Sequence, residues 1–293
     1  MAYTGQDELF VWIGCNLKGG MKSFVVTVWF WLSFLTPAWA VMPLSVDAVR
    51  NVFGGIDGVF VLRDCATGDS MVFNEDTAAA PFGPCSTFKI WNSLIGLEEG
   101  LIRKPDEIFW RWDGIKRDFP GWDEDRTWRE AFGVSCVPAF QDLARRIGTK
   151  RMQMWLDKFN YGNKDQAGRP DSFWLPRAGE PTILITPAQQ TELICRLVNG
   201  QMPVRDESVA LLLDVMRLES SANGTLYGKT GSGLRSSVAG PGSDVDFNMG
   251  WLVGFVESDR KKYAFACLVL GNGLSGKDAR RITTNIFKSS GLL

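Results

Sequence analysis

Histidine is absent from all 293 residues of the chain. A Ser-His-Asp or Cys-His arrangement is therefore impossible within it, and so are the zinc sites that use histidine. An excess of either charge is lacking too: 32 basic side chains meet 33 acidic ones, a formal net charge of −1. That balance leaves no electrostatic footprint for nucleic acid or an anionic membrane surface. No cysteines stand at metal-site spacing. There is no internal repeat and no low-complexity linker. What remains is ordinary globular composition, 45% hydrophobic and 22% charged, in which most of the 12 tryptophans read as a large aromatic core.

Met21-Lys22 precedes the apolar residues 24–35 and then Thr36-Pro37-Ala38-Trp39-Ala40. A short basic start, an apolar stretch and an A-x-A site have the layout of an export signal. The stretch is shorter than the ~20 residues of a spanning helix. Removal after Ala40 is the expectation, with an uncleaved membrane anchor as the alternative. The residues before Met21 carry no export logic of their own. The expected organisation is an N-terminal extension and signal over 1–40, then a periplasmic catalytic domain over 41–293 with no stable membrane association. Cys15 leaves with the signal. Cys65, Cys85, Cys136, Cys195 and Cys267 remain, an odd set that leaves at least one free thiol unless two chains pair. Cys195 and Cys267 sit in apolar segments and read as packing residues. Cys65 and Cys85 are a possible disulfide pair.

Gly58-Val59-Phe60-Val61-Leu62 and Met71-Val72-Phe73-Asn74 read as paired strands across Thr67-Gly68-Asp69. Residues 101–200 look mostly helical, with helices over 140–147 and 151–159. Thr186-Pro187-Ala188-Gln189 starts another: Thr186 caps, Pro187 takes the first helical position and Gln189 closes a capping box. Strands return over 225–230, 249–256 and 263–270, the last two joined by a turn at 258–261. A helix closes the chain over 278–290. Strands at both ends with helices between predict an α+β domain: a mostly antiparallel sheet flanked by helices, with a helical region at about 101–220 inserted.

Ser86-Thr87-Phe88-Lys89 opens an apolar run. In a helix, positions i and i+3 share a face, so a hydroxyl nucleophile and an amine can meet. Apolar neighbours Phe88, Ile90 and Trp91 disfavour the ammonium, leaving a neutral amine as the base that histidine cannot supply. Taken alone, S-x-x-K is more often a helix cap followed by a snorkelling lysine. Lys229-Thr230-Gly231, then Ser232, ends a predicted strand, where a lysine and a hydroxyl can hold a carboxylate beside an open strand edge. Alone it is a turn. S-x-x-K and K-T-G together, in this order, are the pattern of serine β-lactamases and penicillin-binding proteins. The S-D-N triplet is absent; Ser135-Cys136-Val137 stands before a helix instead.

At these residues the chain resembles the class D serine β-lactamases, the oxacillinase family. The resemblance runs from about Gly58 to the C-terminus. It includes Pro84 to Lys89, Ile95-Gly96-Leu97-Glu98, Trp122 and Asp125, Ser135-x-Val137, Ala144 to Gly148, Tyr161-Gly162-Asn163, Phe173-Trp174-Leu175, Lys229-Thr230-Gly231 and Gly250-Trp251. The family implies that Ser86 is acylated by a small-molecule β-lactam. It implies that Lys89 reacts with CO2 to become an N-carboxylated general base held by the Trp174 indole; no other cofactor and no metal is expected. Ser135 would pass a proton to the departing nitrogen, Val137 would pack beside the base and Leu175 would control water. Lys229, Thr230 and a C-terminal arginine, taken as Arg280 over its neighbour Arg281, would bind the substrate carboxylate. Gly231 would admit the substrate, and the Ser232 N–H would be an oxyanion donor. Cys136 inside S-x-V and Cys85 beside the nucleophile depart from the family pattern and predict sensitivity to oxidation. Trp91 departs too, standing where a small residue or proline is expected. The other reading is a penicillin-sensing receptor domain, acylated without turnover.

Overall fold

Strand-forming residues concentrate toward the two ends of the chain and helix-forming residues between them, and the architecture follows that distribution. The structure, a computed structural model, describes residues 42–166, 168–177, 180–234 and 247–293. The segment expected to be an export signal, with Cys15, lies outside the described residues. The strands described are β1 (Asp57–Asp64), β2 (Ser70–Phe73), β3 (Ile108–Trp110), β4 (Arg126–Thr127), β5 (Arg217–Ser220), β6 (Thr225–Gly233), β7 (Met249–Ser258) and β8 (Lys261–Leu270). The helices are α1 (Val46–Phe53), α2 (Glu75–Ala79), α3 (Lys89–Glu98), α4 (Trp128–Gly133), α5 (Val137–Ile147), α6 (Thr149–Phe159), α7 (Pro187–Val198), α8 (Asp206–Met216) and α9 (Gly276–Ser289).

One antiparallel sheet runs β2-β1-β8-β7-β6-β5. Its central strand β8 is buried on both faces, so its apolar residues run without a polar break. The pleat sorts them: Ala264, Ala266 and Leu268 enter one core, Phe265, Cys267 and Val269 the other. On the first face lie α7, α3 and the rest of the helical region. On the second lie α1 and α9, through Val49, Phe53, Ile282, Ile286 and Phe287.

The capping box at Thr186 and Gln189 forms as expected, with Pro187 opening α7. The β7–β8 hairpin and the β1–β2 pair also form where the sequence places them. Helix α5 starts earlier than the sequence indicates, at Val137. Among the described residues, 101–220 hold helices α4 to α8 together with the β3–β4 ribbon and strand β5. Helix α1 escaped the sequence reading. It is capped by Ser45, whose side chain accepts from the Ala48 N–H at 3.2 Å.

Cysteine pairing corrects the sequence expectation. Cys65 joins Cys195, not Cys85, across 130 positions. Cys195 is thus a covalent tie rather than only a packing residue. The reason is tertiary: the end of α7 packs against the β1–β2 turn, where the Asn199 amide donates to the Cys65 carbonyl at 2.6 Å. Cys85 is held elsewhere, its thiol 3.6 Å from the Gly83 carbonyl.

Candidate active site

The tetrad does not begin in a regular α-helix. Cys85–Phe88 is a 3-10 turn, and α3 starts at Lys89. In a 3-10 turn residues i and i+3 eclipse. That alignment puts Lys89 Nζ 2.8 Å from Ser86 Oγ, in a hydrogen bond. The turn is sharpened by Cys85, whose φ of 51° lies in the left-handed region. That conformation costs a residue with a side chain roughly 1–2 kcal/mol. The Pro84 carbonyl offsets it by accepting two bonds from Thr87, from N–H at 3.1 Å and from Oγ1 at 2.7 Å.

Lys89 is fully buried, 0% exposed. Burial pushes its amine down from 10.5 to about 7, opposed by the neighbouring Cys136 and Cys85 thiols. The Phe140 ring lies 5.3 Å from Nζ. Phe88 stacks on Trp174 at 5.5 Å, and Trp174 is completely buried. Its indole N–H has no hydrogen-bond partner among the described residues. A buried donor left unpaired is costly and calls for an acceptor.

Strand β6 brings the second motif to the same place. Strand β5 pairs only with Thr225, Leu226 and Tyr227, so β6 has an outer edge beyond β5 at Lys229-Thr230-Gly231. Gly231 permits close approach: a Cβ there would lie 3.1 Å from the Pro84 carbonyl and 3.2 Å from Cys85. Lys229 is buried and its amine is held well below the ordinary lysine range by burial, then by the charges of Lys89 and Arg280. It donates to the Thr230 carbonyl at 3.0 Å and to Thr230 Oγ1 at 3.2 Å. Ser232 Oγ accepts from the Gly276 N–H that opens α9, at 2.9 Å.

Ser135 is half-buried, with a φ of 58°. It is not the cap of α5; Cys136 holds that position. Val137 is half-buried at the start of α5, and Leu175 packs against the core beside Trp174. Both C-terminal arginines are exposed, but they differ. Arg281 pairs with Asp278 at 3.4 Å, whereas Arg280 donates to the Leu218 carbonyl at 3.4 Å and its charge reaches Lys229.

Cys85 and Cys136 are both buried and unpaired. Burial pushes the Cys85 thiol up to about 12 and raises that of Cys136. Thiolates are the reactive form, so burial argues against the oxidation sensitivity expected from the sequence. Native protein treated with iodoacetamide at neutral pH should retain full activity. Stoichiometric alkylation of either thiol, read by mass spectrometry, would contradict this.

Two residues that motif reading passed over also touch the tetrad, Phe140 and Gln190. Gln190 donates from Nε2 to Thr87 Oγ1 at 3.1 Å. Its signal was in the sequence: it is a polar residue on the face of α7 whose next members, Leu193, Ile194 and Leu197, are core.

Comparison with known proteins shows what the chain is similar to. The penicillin-binding protein transpeptidase domain family matches residues 58–289. A probable β-lactamase of Bacillus subtilis, YbxI, is 35% identical over 245 residues, covering 84% of this chain and 85% of its own. β-Lactamase OXA-10 of Pseudomonas aeruginosa is 34% identical over 244 residues, 81% of this chain and 86% of its own. The crystal structure of a class D β-lactamase from Bacillus subtilis superposes with a TM-score of 0.75 at 34% identity, covering 85% of this chain and 99% of that one. The chain belongs to the class D β-lactamases. As such it is a hydrolase of β-lactams, built on the transpeptidase-like fold. This β-lactamase has, among the described residues, no cluster of histidine, cysteine or acidic side chains placed to hold a metal ion.

Proposed function

We propose that the enzyme hydrolyses the amide bond of penicillin-type antibiotics through an acyl-enzyme on Ser86, with N-carboxylated Lys89 as general base, and so confers β-lactam resistance. The observation that carries this reading is the buried Lys89 amine, lowered to about 7 and 2.8 Å from Ser86 Oγ. Only the neutral amine attacks CO2; an N–C bond forms and the Nζ proton leaves. The resulting carbamate supplies a base where histidine is absent. The unpaired Trp174 N–H is a donor of the kind that a carbamate oxygen needs.

The other residues take roles by chemistry and place. Ser86 attacks the lactam carbonyl, and the N–H groups of Ser86 and Ser232 hold the oxyanion. Ser135 carries a proton to the departing nitrogen, and Val137 packs beside the base. Lys229, Thr230 and Arg280 receive the substrate carboxylate, Gly231 keeps the strand edge open, and Leu175 limits water at the acyl carbon. The disulfide supports export, since such bonds persist in oxidising compartments; it fits a periplasmic domain over 41–293 released by cleavage after Ala40.

Sustained turnover of nitrocefin and penicillin, enhanced by added bicarbonate, is the expected result with purified protein. A single stoichiometric burst would overturn hydrolysis and favour a penicillin sensor. The pH dependence has a defined sign. Below about 7 the Lys89 amine is protonated and cannot take up CO2. In bicarbonate-poor buffer, activity should therefore fall as pH drops through that value, and added bicarbonate should move the fall to lower pH. A profile indifferent to bicarbonate would count against the carbamate.

A further inference from the structure

The turn that presents Ser86 depends on a side chain from a distant helix. Gln190 is completely buried, and its Oε1 has no partner among the described residues. An unsatisfied amide oxygen in the interior works against stability. A leucine or methionine would serve the core better, so the residue needs another reason to be polar. Its amide points at one place, Thr87 Oγ1, 3.1 Å away.

That contact sets the direction of a proton. Because the Gln190 amide donates, Thr87 Oγ1 accepts, and the single hydroxyl proton of Thr87 goes to the Pro84 carbonyl, 2.7 Å away. The Pro84 carbonyl closes the turn in which Cys85 is held at a φ of 51°, one residue before the nucleophile. Two further contacts fix the same segment: the Trp251 indole donates to the Gly83 carbonyl at 3.1 Å, and Phe82 and Ile185 exchange backbone bonds at 3.0 and 2.9 Å. Helix α7 is itself fixed, by the Thr186 capping box at its start and the Cys65–Cys195 disulfide near its end. Gln190 is thus delivered from a rigid support.

We infer that Gln190, acting through the Thr87 hydroxyl, is a positioning residue for acylation: it locks the left-handed turn that aims the Ser86 hydroxyl and N–H at the lactam carbonyl. The inference rests on the reading of Ser86 as the acylated nucleophile. Mass spectrometry of Ser86→Ala after penicillin tests that reading separately; an adduct retained there would remove it, whatever Gln190 does.

The test of Gln190 is single-turnover acylation, with every rate normalised to folded protein. Gln190→Met keeps the volume and removes the donor. It should lower the acylation constant about tenfold while leaving the substrate dissociation constant within about twofold. The pH midpoint of acylation should stay in place, because the surroundings of Lys89 are untouched. Thr87→Val should give a similar loss, Thr87→Ser should restore most of the rate, and the double variant Thr87→Val with Gln190→Met should be no slower than the slower single. Wild-type acylation in Gln190→Met, or single losses that simply multiply in the double variant, would overturn the inference. If Gln190→Met fails to fold, the Thr87→Val and Thr87→Ser pair decides: equal rates in the two overturn it.

Discussion

Lys89→Ala should slow deacylation by about a thousandfold or more and leave the protein trapped as an acyl-enzyme on Ser86. General-base catalysis contributes about 10²–10⁴ in rate, and here no histidine can stand in for the lost amine, since the chain has none. The only amine within hydrogen-bonding distance of Ser86 Oγ among the described contacts is that of Lys89, at 2.8 Å. Bicarbonate, which should raise wild-type turnover, should do nothing for the variant. Rapid-mixing kinetics with nitrocefin and intact-protein mass spectrometry measure both effects. Normal turnover in Lys89→Ala would rule out Lys89 as the base. The substitution also removes a buried amine that is costly to keep out of water, so the variant should fold; its melting curve checks that loss of rate is not loss of structure.

Cys195→Ser should destabilise the fold by several kcal/mol without changing the chemistry. The disulfide closes a loop of 130 positions, for which loop-closure entropy alone gives roughly 4–5 kcal/mol. For a domain of this size that corresponds to a fall in melting temperature of about 10 °C or more. The fall should be reproduced by Cys65→Ser and not enlarged in the double variant, because either change alone breaks the same bond. Turnover per folded molecule should stay close to wild type at low temperature. A melting temperature within about 2 °C of wild type in calorimetry would mean that the tie does not constrain the unfolded chain.

Legibility was greatest where the determinants are local. The capping box at Thr186 and Gln189, the β7–β8 hairpin and the α6 helix each depend on a few neighbouring residues, and each forms at or near the place expected. The motifs Ser86 to Lys89 and Lys229 to Gly231 were visible as short strings. Their meeting was not visible, because it depends on β6 lying against the turn at Pro84, an approach that Gly231 permits. Cysteine pairing was illegible for the same reason. Cys65 and Cys85 are nearer in sequence, yet the fold places Cys195 beside Cys65. Burial, which no string shows, raises the thiols of both Cys85 and Cys136 and so argues against the oxidation sensitivity inferred from them.

By itself, then, the sequence determined the class of chemistry. The missing histidine excluded histidine-dependent mechanisms, and the paired lysine motifs with Ser135-Cys136-Val137 pointed to Ser86 as the candidate nucleophile and Lys89 as the candidate base. The tertiary structure decided how far the Lys89 amine is shielded from water. A lysine on an exposed helix stays an ammonium. Only complete burial, against Phe140 and the Phe88–Trp174 stack, removes enough water to bring its amine to about 7. The 3-10 turn, Thr87 and Gln190 likewise decide how Ser86 is held, because a strained turn persists only when contacts from distant parts of the chain hold it.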